Sequence, residues 1–223
     1  MTPVDPTLDI ERAQLRAAPV VIGMDEVGRG ALAGPVVVGV SAVRAEEIEI
    51  GFPEGLRDSK LLTERRREAL APLADAWVWA SATGWASADE IDQFGIGPSL
   101  AAAGVRALAS LWEQGVPVDA ATIVLDGTHD WLTPGCSAPL HVVTQPKADR
   151  DCASVAAASV IAKVARDRHM VELVETHPKW APYGWERNKG YGSAQHREAI
   201  AELGACPEHR ASWLHKILAG ASR

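Results

Sequence analysis

Cysteine is scarce in this chain of 223 residues: there are three, and no two of them form a CxxC pair. The odd set of Cys136, Cys152 and Cys206 argues against a disulfide framework and against a cysteine-rich zinc site, and it fits a reducing compartment. Apolar runs are short as well, with none near the ~18 residues of a membrane helix and no apolar signal segment at the N-terminus. We therefore expect a soluble, cytoplasmic protein without a membrane partner.

Positive charge is also limited, since 22 Lys and Arg stand against 29 Asp and Glu and leave a net charge of −7. That balance disfavours a protein that coats polyanions loosely, but an enzyme acting on nucleic acid needs only a local basic surface beside an acidic centre. The run Arg65–Arg67 is interpreted as a solvated helix face. The C-terminal third supplies the candidates for a basic surface: Lys163, Arg166, Arg168, Lys179, Arg187, Lys189 and Arg197.

The most informative stretch is residues 20–40, VVIGMDEVGRGALAGPVVVGV. Its β-branched residues predict two short buried strands around a glycine-rich turn, with Asp25 and Glu26 where the first strand ends. Two adjacent carboxylates are costly in such a place unless a cation neutralises them. Gly28 and Gly30 let the backbone approach a ligand closely, and Arg29 between them suits a phosphate. This pattern predicts the edge of an active site.

The rest of the chain predicts a mixed α/β sheet flanked by helices. Further strands are expected within residues 76–85, 121–127 and 138–149. The alanine-rich stretch 152–175 predicts a helix whose small side chains let it lie very close to the sheet. Other helices are expected from Thr63 to a break near Pro72, from a capping box at 87–90, from Pro98 to Gly115, and in one or two pieces within 194–218.

Acidic residues follow three of these strands: Asp25 with Glu26, then Asp126, then Asp149. Ligands of α/β sheets collect where strands end, so these carboxylates are expected to converge on one crevice. Like charges there need compensation, and oxygen donors without a cysteine pair favour Mg²⁺ or Mn²⁺ over zinc. Two such ions can clamp the attacking and leaving oxygens of a phosphodiester, which predicts a hydrolase. For Asp126 or Asp149 alone, a turn-forming aspartate remains the alternative.

The order of six motifs resembles that of bacterial ribonuclease HII: DEVGRG (25–30), RDSK (57–60), VLDG (124–127), KAD (147–149), VAAASVIAKVARD (155–167) and KGYGSAQH (189–196). The similarity runs from about Val20 to Trp213. It implies an α/β, RNase H-like mixed sheet flanked by helices, with a C-terminal helical extension. It divides the chain into a tail (1–18), a catalytic core (19–175) and a substrate-binding loop with the helical extension (176–223).

The resemblance also implies an activity, which is hydrolysis of the RNA strand of RNA–DNA hybrids and cleavage on the 5′ side of ribonucleotides embedded in duplex DNA. The products would carry 5′-phosphate and 3′-hydroxyl ends. The implied partners are these two kinds of nucleic acid, bound by a monomer, and the implied cofactor is Mn²⁺ or Mg²⁺. A hybrid-binding module on the same fold would typically have lost a carboxylate, and a strand-transferase or resolvase would lack the glycine-rich segment.

Roles for individual residues follow from the same resemblance. Asp25, Glu26, Asp126 and Asp149 match the catalytic, metal-binding carboxylates. The segment Gly28, Arg29 and Gly30 resembles the sensor of the ribose 2′-hydroxyl, and Tyr191 resembles the tyrosine that stacks on the sugar beside an RNA–DNA junction. Ser59, Lys60 and Lys163 stand in motifs that would face the phosphate backbone.

Some positions remain open or depart from the pattern. His196, five residues after Tyr191, either contacts substrate or is structural. Trp180 and Trp185 lie in a basic loop, where they either pack in the interior or stack on nucleic acid. Gly95, Ser193 and Trp213 replace the Asn, Thr and Phe that are common in the family.

Overall fold

The computed structural model describes residues 5–215 and 217–218, which contain one mixed five-stranded sheet. The strands are β1 Val21–Val27, β2 Val36–Val43, β3 Ala80–Ala86, β4 Thr122–Asp126 and β5 His141–Gln145, in the order β3-β2-β1-β4-β5. Antiparallel pairs join β1 to β2 and β2 to β3, whereas β4 pairs parallel with both β1 and β5. The two strands predicted around the glycine-rich turn are confirmed as β1 and β2, and the carboxyl ends of the adjacent strands β1 and β4 lie at the same edge.

Helices cover both faces of this sheet. The longer ones are α5, which packs on β2 and β3, and α7, which packs on β1 and β2 from the opposite side with α3 outside it. In the described part of the chain, none of the helices has the length and apolar character needed to cross a bilayer. The helices are α1 Asp9–Gln14, α2 Ala45–Ile50, α3 Glu64–Trp77, α4 Ala88–Phe94, α5 Ile96–Glu113, α6 Ala148–Asp151, α7 Ala153–Thr176, α8 Trp185–Asn188 and α9 Ala194–Leu203.

Helix α7 lies against the sheet with almost no gap, as its alanine content predicts. A Cβ added at Gly23 on β1 would clash with the backbone of Ser154, and one added at Gly39 on β2 would clash with the carbonyl of Ala158. The Ser41 hydroxyl, on the same strand, donates to the Ser154 carbonyl at 2.6 Å. The helix is therefore fixed both by contact with the glycines and by a hydrogen bond to the sheet.

Two helix limits differ from the sequence prediction. Helix α3 runs through Pro72 to Trp77 without a break. Its side chains Leu70, Ala74 and Trp77 are buried on both sides of the proline, so packing keeps the helix continuous although one backbone donor is missing. Helix α5 begins at Ile96, two residues before Pro98, because Gly95 has a φ of 84° and ends α4 there.

The segment predicted as a tail, residues 1–18, packs on the core; its residues 1–4 lie outside the described part. Helix α1 forms from Asp9 to Gln14. Its residue Glu11 and the preceding Leu8 are both buried. Thr7 forms a parallel bridge with Cys152 at the start of α7. Hydrogen bonds hold this polar segment on the core, and amino-acid composition alone does not predict them.

The C-terminal extension has its own small core. Trp180, Trp185 and His196 are all buried there. Of the two alternatives for these residues, the structure therefore shows interior packing and not an exposed contact surface. The Trp185 indole N–H donates to His196 Nε2 at 3.0 Å, and that nitrogen lies 3.0 Å from His209 Nε2. The Cys206 N–H donates to His209 Nδ1, so His209 carries its proton on Nε2 and both imidazoles are neutral.

This histidine pair predicts a loss of stability in acid. Burial, followed by the neighbouring His196, lowers the pKa of His209 from 6.5 to about 4. Below pH 6.5 the unfolded chain therefore binds a proton at His209, whereas the folded chain binds it only near pH 4. The free energy of unfolding falls as the pH is lowered through that range. Between pH 7.5 and pH 5, urea unfolding of wild type should lose about 2 kcal/mol more than unfolding of His209→Gln. If wild type and His209→Gln lost the same stability, a lowered pKa of His209 would be contradicted.

Candidate active site

Three of the predicted carboxylates lie at one edge of the sheet. Asp25 and Glu26 occupy the end of β1, and Asp126 is the last residue of β4, which pairs parallel with β1 through Met24 and Leu125. Asp25 is almost fully buried, whereas Glu26 and Asp126 are partly exposed. The parallel register therefore brings the ends of two separate strands, about one hundred residues apart in sequence, to the same place.

Asp149 reaches this edge by a route that differs from the sequence prediction. Strand β5 ends at Gln145, and Asp149 lies in the short helix α6, after Lys147 in the left-handed region with φ 61°. The Asp149 backbone N–H donates to Asp126 Oδ1 at 3.3 Å. The structure thus brings the fourth carboxylate beside the third through a helix and not through a strand end.

The electrostatics of this cluster are those of crowded, buried acids. Burial raises the pKa of Asp25 well above its usual value, and the neighbouring Glu26 raises it further. Burial also raises the pKa of Glu26 and of Asp126, the latter with help from the Asp149 charge. The cluster therefore has more negative charge than its protein surroundings neutralise.

Lys60 is the cation at the centre of the cluster. Its ammonium donates to Asp149 Oδ2 at 3.0 Å, while its side chain stays 66% exposed. Although burial of part of the side chain acts against the charged form, Asp25 and Asp149 raise the pKa of Lys60 above its ordinary value. Of the three residues expected to face phosphates, Lys60 is the one whose charged group lies at the carboxylates and is open to solvent.

Ser59 and Lys163 lie deeper than predicted. The Ser59 hydroxyl is buried and shares a 2.9 Å hydrogen bond with Ser159, beside the Asp25 carboxylate, so it faces the interior and not a phosphate. The Lys163 ammonium donates to Asp167 Oδ1 at 2.6 Å and lies 5.6 Å from the centroid of the Tyr191 ring. Arg67 also contacts Asp167, at 3.6 Å, and its side chain is only 14% exposed, so the predicted solvated face is wrong for Arg67.

The glycine-rich segment and Tyr191 meet beside the carboxylates. The Gly28 N–H donates to the Tyr191 hydroxyl at 3.1 Å, and the Arg29 guanidinium lies 3.4 Å from Glu26 Oε1 with most of its side chain exposed. Gly28 has a φ of 84°, and an added Cβ would clash with the Arg166 guanidinium, whereas a Cβ at Gly30 would meet nothing within 4 Å. Glycine at position 28 is thus required by the protein itself, and only position 30 leaves open space for a ligand.

Two buried arginines hold this region together: Arg166, which was predicted to lie on a basic surface, and Arg210, for which no role was predicted. Arg166 donates to the carbonyls of Ala33, Pro35 and Lys189. Arg210 donates to those of Gly28, Arg29 and Gly34. Both are completely buried, which is wrong for the surface role predicted for Arg166. Arg166 lies in the motif at 155–167 and Arg210 in none of the six motifs, and no sequence pattern shows that a guanidinium points inward.

A groove of about 260 Å³ opens beside the carboxylates. Glu26, Arg29 and Asp126 line it together with four residues of the loop that follows β4: Gly127, Thr128, His129 and Trp131. Asp130 holds this loop by accepting hydrogen bonds from the backbone N–H groups of Leu132 and Thr133. The acidic cluster is therefore open to solvent through this groove.

A mixed sheet of this order, with buried carboxylates where its adjacent parallel strands end, defines the class of RNase H-like proteins. The model of the Ribonuclease HII family matches residues 22–216. Ribonuclease HII of Streptomyces griseus is 47% identical over 215 residues, which cover 94% of this chain and 84% of that protein. The chain belongs to the ribonuclease HII family.

Solved structures agree with this assignment. Ribonuclease H2 from Pyrococcus horikoshii superposes with a TM-score of 0.72 at 28% identity and covers 92% of this chain and 99% of its own. Bst-RNase HIII in complex with Mn²⁺ superposes with a TM-score of 0.70 at 25% identity, over 95% of this chain and 72% of its own. The RNase H-like fold predicted from the motifs is confirmed.

The two glycines of the 28–30 segment predict a matched pair of variants. Gly28→Ala should destabilise the protein by about 1–3 kcal/mol, because its φ of 84° and the Arg166 contact both oppose a side chain. Gly30→Ala should leave the free energy of unfolding within ~0.5 kcal/mol of wild type, because the space is open. Urea unfolding measures both. Equal destabilisation of the two variants would show that Arg166 does not fix this segment.

Proposed function

We propose that this chain is an endonuclease that hydrolyses the RNA strand of RNA–DNA hybrids and cuts on the 5′ side of ribonucleotides embedded in duplex DNA. Cleavage leaves a 5′-phosphate and a 3′-hydroxyl. The observation that carries the proposal is the position of Asp25, Glu26, Asp126 and Asp149 around one sheet edge, directly beside the Gly28 segment. Membership of the ribonuclease HII family supports it.

Divalent metal ions suit the donor set of this site. The four side chains offer only carboxylate oxygens, which hard cations such as Mg²⁺ and Mn²⁺ prefer, and their crowding calls for positive charge. Within residues 5–215 and 217–218, no three His, Cys, Asp or Glu side chains are already arranged around one point, so the carboxylates would have to close on an ion. The Mn²⁺ complex of Bst-RNase HIII supports this cofactor class.

When bound, such ions would activate a water and neutralise charge on the leaving oxygen. The chain itself contributes the framework for that chemistry. Asp25 and Asp126 stand on paired strands, so their separation is fixed by the β1–β4 register. The exposed Lys60 ammonium lies beside Asp149 and can shift from this carboxylate to a phosphate oxygen when a strand enters.

Selection of RNA is assigned to the Gly28–Gly30 backbone and to Tyr191. The open space at Gly30 lets a ribose approach the backbone, where a 2′-hydroxyl can both donate and accept a hydrogen bond. The Tyr191 ring is 36% exposed and is supported from within by Arg166, whose guanidinium carbon lies 5.4 Å from the ring centroid. An exposed, fixed ring of this kind can pack on a deoxyribose, where a 2′-hydroxyl would be crowded.

Replacing one carboxylate tests the acidic cluster. Asp126→Asn keeps the shape of the side chain but removes its charge, so cleavage should fall by about a hundredfold or more, roughly 2.7 kcal/mol. The matched control is Asp119→Asn, since Asp119 is exposed and distant from the cluster. The rate on a duplex with one ribonucleotide is measured for both. Cleavage by folded Asp126→Asn within about tenfold of wild type would exclude Asp126 from the site.

Metal removal tests the cofactor class and identifies the preferred ion. Cleavage of an RNA–DNA hybrid should stop in excess EDTA, because the four carboxylates cannot replace the metal ion as Lewis acid. It should return when Mg²⁺ or Mn²⁺ is added back. The titration of activity with each ion gives the preference. Undiminished turnover in EDTA would contradict the metal mechanism.

Two variants of Tyr191 separate its ring from its hydroxyl. Tyr191→Ala should reduce cleavage at a single embedded ribonucleotide about ten- to hundredfold more than cleavage within a long RNA stretch, because only the former places a deoxyribose on the ring. Tyr191→Phe keeps the ring and loses the bond from the Gly28 N–H, so its substrate ratio should stay near wild type. The ratio of kcat/KM on the two substrates is the measurement. An unchanged ratio in Tyr191→Ala would make the residue structural.

A further inference from the structure

The chain breaks direction between the helix that carries Asp149 and the long helix behind it. Helix α6 ends at Asp151, α7 begins at Ala153, and the single residue between them, Cys152, is extended with φ −121° and ψ 120°. Such a break leaves backbone groups without intrahelical partners: the last carbonyl groups of one helix and the first N–H groups of the next. The Cys152 side chain forms no capping hydrogen bond at the start of α7.

The N-terminal segment supplies the missing partners. The Thr7 N–H donates to the Asp151 carbonyl at 3.1 Å, and the Thr7 carbonyl accepts from the Ala153 N–H at 3.1 Å. The Glu11 carboxylate then accepts from the Ser154 N–H at 2.7 Å and from the Cys152 thiol at 3.0 Å, both on Oε1. Thr7 and Glu11 thus pair with each of the residues 151–154 that form the break.

Burial of the Glu11 carboxylate for this contact costs folding free energy. The side chain is completely buried, and its other oxygen, Oε2, is buried without a hydrogen-bond partner among the described residues. A buried carboxylate with one unpartnered oxygen is expensive, and the positive end of the α7 dipole is what favours it here. A structure that needed only a packed N-terminus would be served better by an apolar residue.

We infer that Thr7 and Glu11 are positioning residues of the active site: they fix the α6–α7 break and thereby the direction in which Asp149 points. Asp149 lies three residues before Cys152, and its backbone already contacts Asp126. Ser154, the other end of the contact, is tied to β2 through Ser41 and touches Gly23 on β1. The N-terminal segment thus links α6 to β1, which carries Asp25 and Glu26, and to the neighbouring strand β2. The inference rests on the proposed metal-binding role of Asp149.

The test is Mn²⁺ binding to the free protein, measured by calorimetry, together with kcat and KM on an RNA–DNA hybrid. Glu11→Ala should weaken Mn²⁺ binding about tenfold and lower kcat about tenfold with KM unchanged, as is typical when a residue that orients a ligand is lost. Glu11→Gln should stay within about threefold of wild type, because it keeps the oxygen that accepts from Ser154 and replaces only the unpartnered Oε2.

Two further variants make the result specific. Asp9→Ala removes a carboxylate from the exposed face of the same helix and should change neither Mn²⁺ binding nor kcat. Thr7→Pro removes the N–H that donates to Asp151 at an exposed position, so it should weaken Mn²⁺ binding even if Glu11→Ala fails to fold. Wild-type Mn²⁺ binding in both Thr7→Pro and folded Glu11→Ala would overturn the inference.

Asp149→Asn separates this inference from the function beneath it. If Asp149→Asn loses Mn²⁺ binding while Thr7→Pro and Glu11→Ala keep it, the positioning role fails and the site stands. If Asp149→Asn itself binds Mn²⁺ like wild type, the ligand role of Asp149 fails and the positioning role fails with it. A loss in Asp149→Asn accompanied by smaller losses in Thr7→Pro and Glu11→Ala is the expected result.

Discussion

Two buried guanidinium groups hold the loops beside the acidic cluster in place, and the geometry of the Gly28 segment and of Tyr191 depends on them. Arg166 and Arg210 donate almost entirely to backbone carbonyls, without a carboxylate hydrogen-bonded to either in the described chain. Burial, with the neighbouring Arg166 charge, lowers the pKa of Arg210 to about 9, so the group stays charged at neutral pH. Charged donors make stronger hydrogen bonds than neutral ones, and each arginine spans several carbonyls of a loop that has no regular structure.

The two parts of the candidate site are held in different ways. The carboxylates are fixed by the register of β1 and β4 and by helix α6, which are regular elements. The Gly28 segment and Tyr191 lie on loops that are distant in sequence and are joined by the Gly28–Tyr191 hydrogen bond and by backbone hydrogen bonds to the Gly190 carbonyl. The arginines behind these loops add rigidity that strands would otherwise give.

Much of the fold and of the acidic cluster could be predicted, because both follow from patterns of neighbouring residues in the sequence. Alternating and β-branched residues mark the strands, and Asp25, Glu26 and Asp126 lie at their carboxyl ends. The N-terminal contact of Glu11 could not be predicted, since it depends on a partner 143 residues away. Burial of Arg166 and Arg210 could not be predicted either, because a charged side chain favours solvent or nucleic acid until its tertiary partners are known.

The close approach of α7 to the sheet has a consequence for how such a sequence can vary. Gly23 faces Ser154 and Gly39 faces Ala158, and neither pair has room for one more methyl group. The space at each glycine is taken by backbone atoms of the helix, so a smaller side chain opposite would not free it, and a larger residue at Gly23 or Gly39 is tolerated only when the helix moves away. Since the same helix begins beside Asp149, moving it would displace that carboxylate from Asp126. The two glycines should therefore resist replacement whatever side chains stand opposite them.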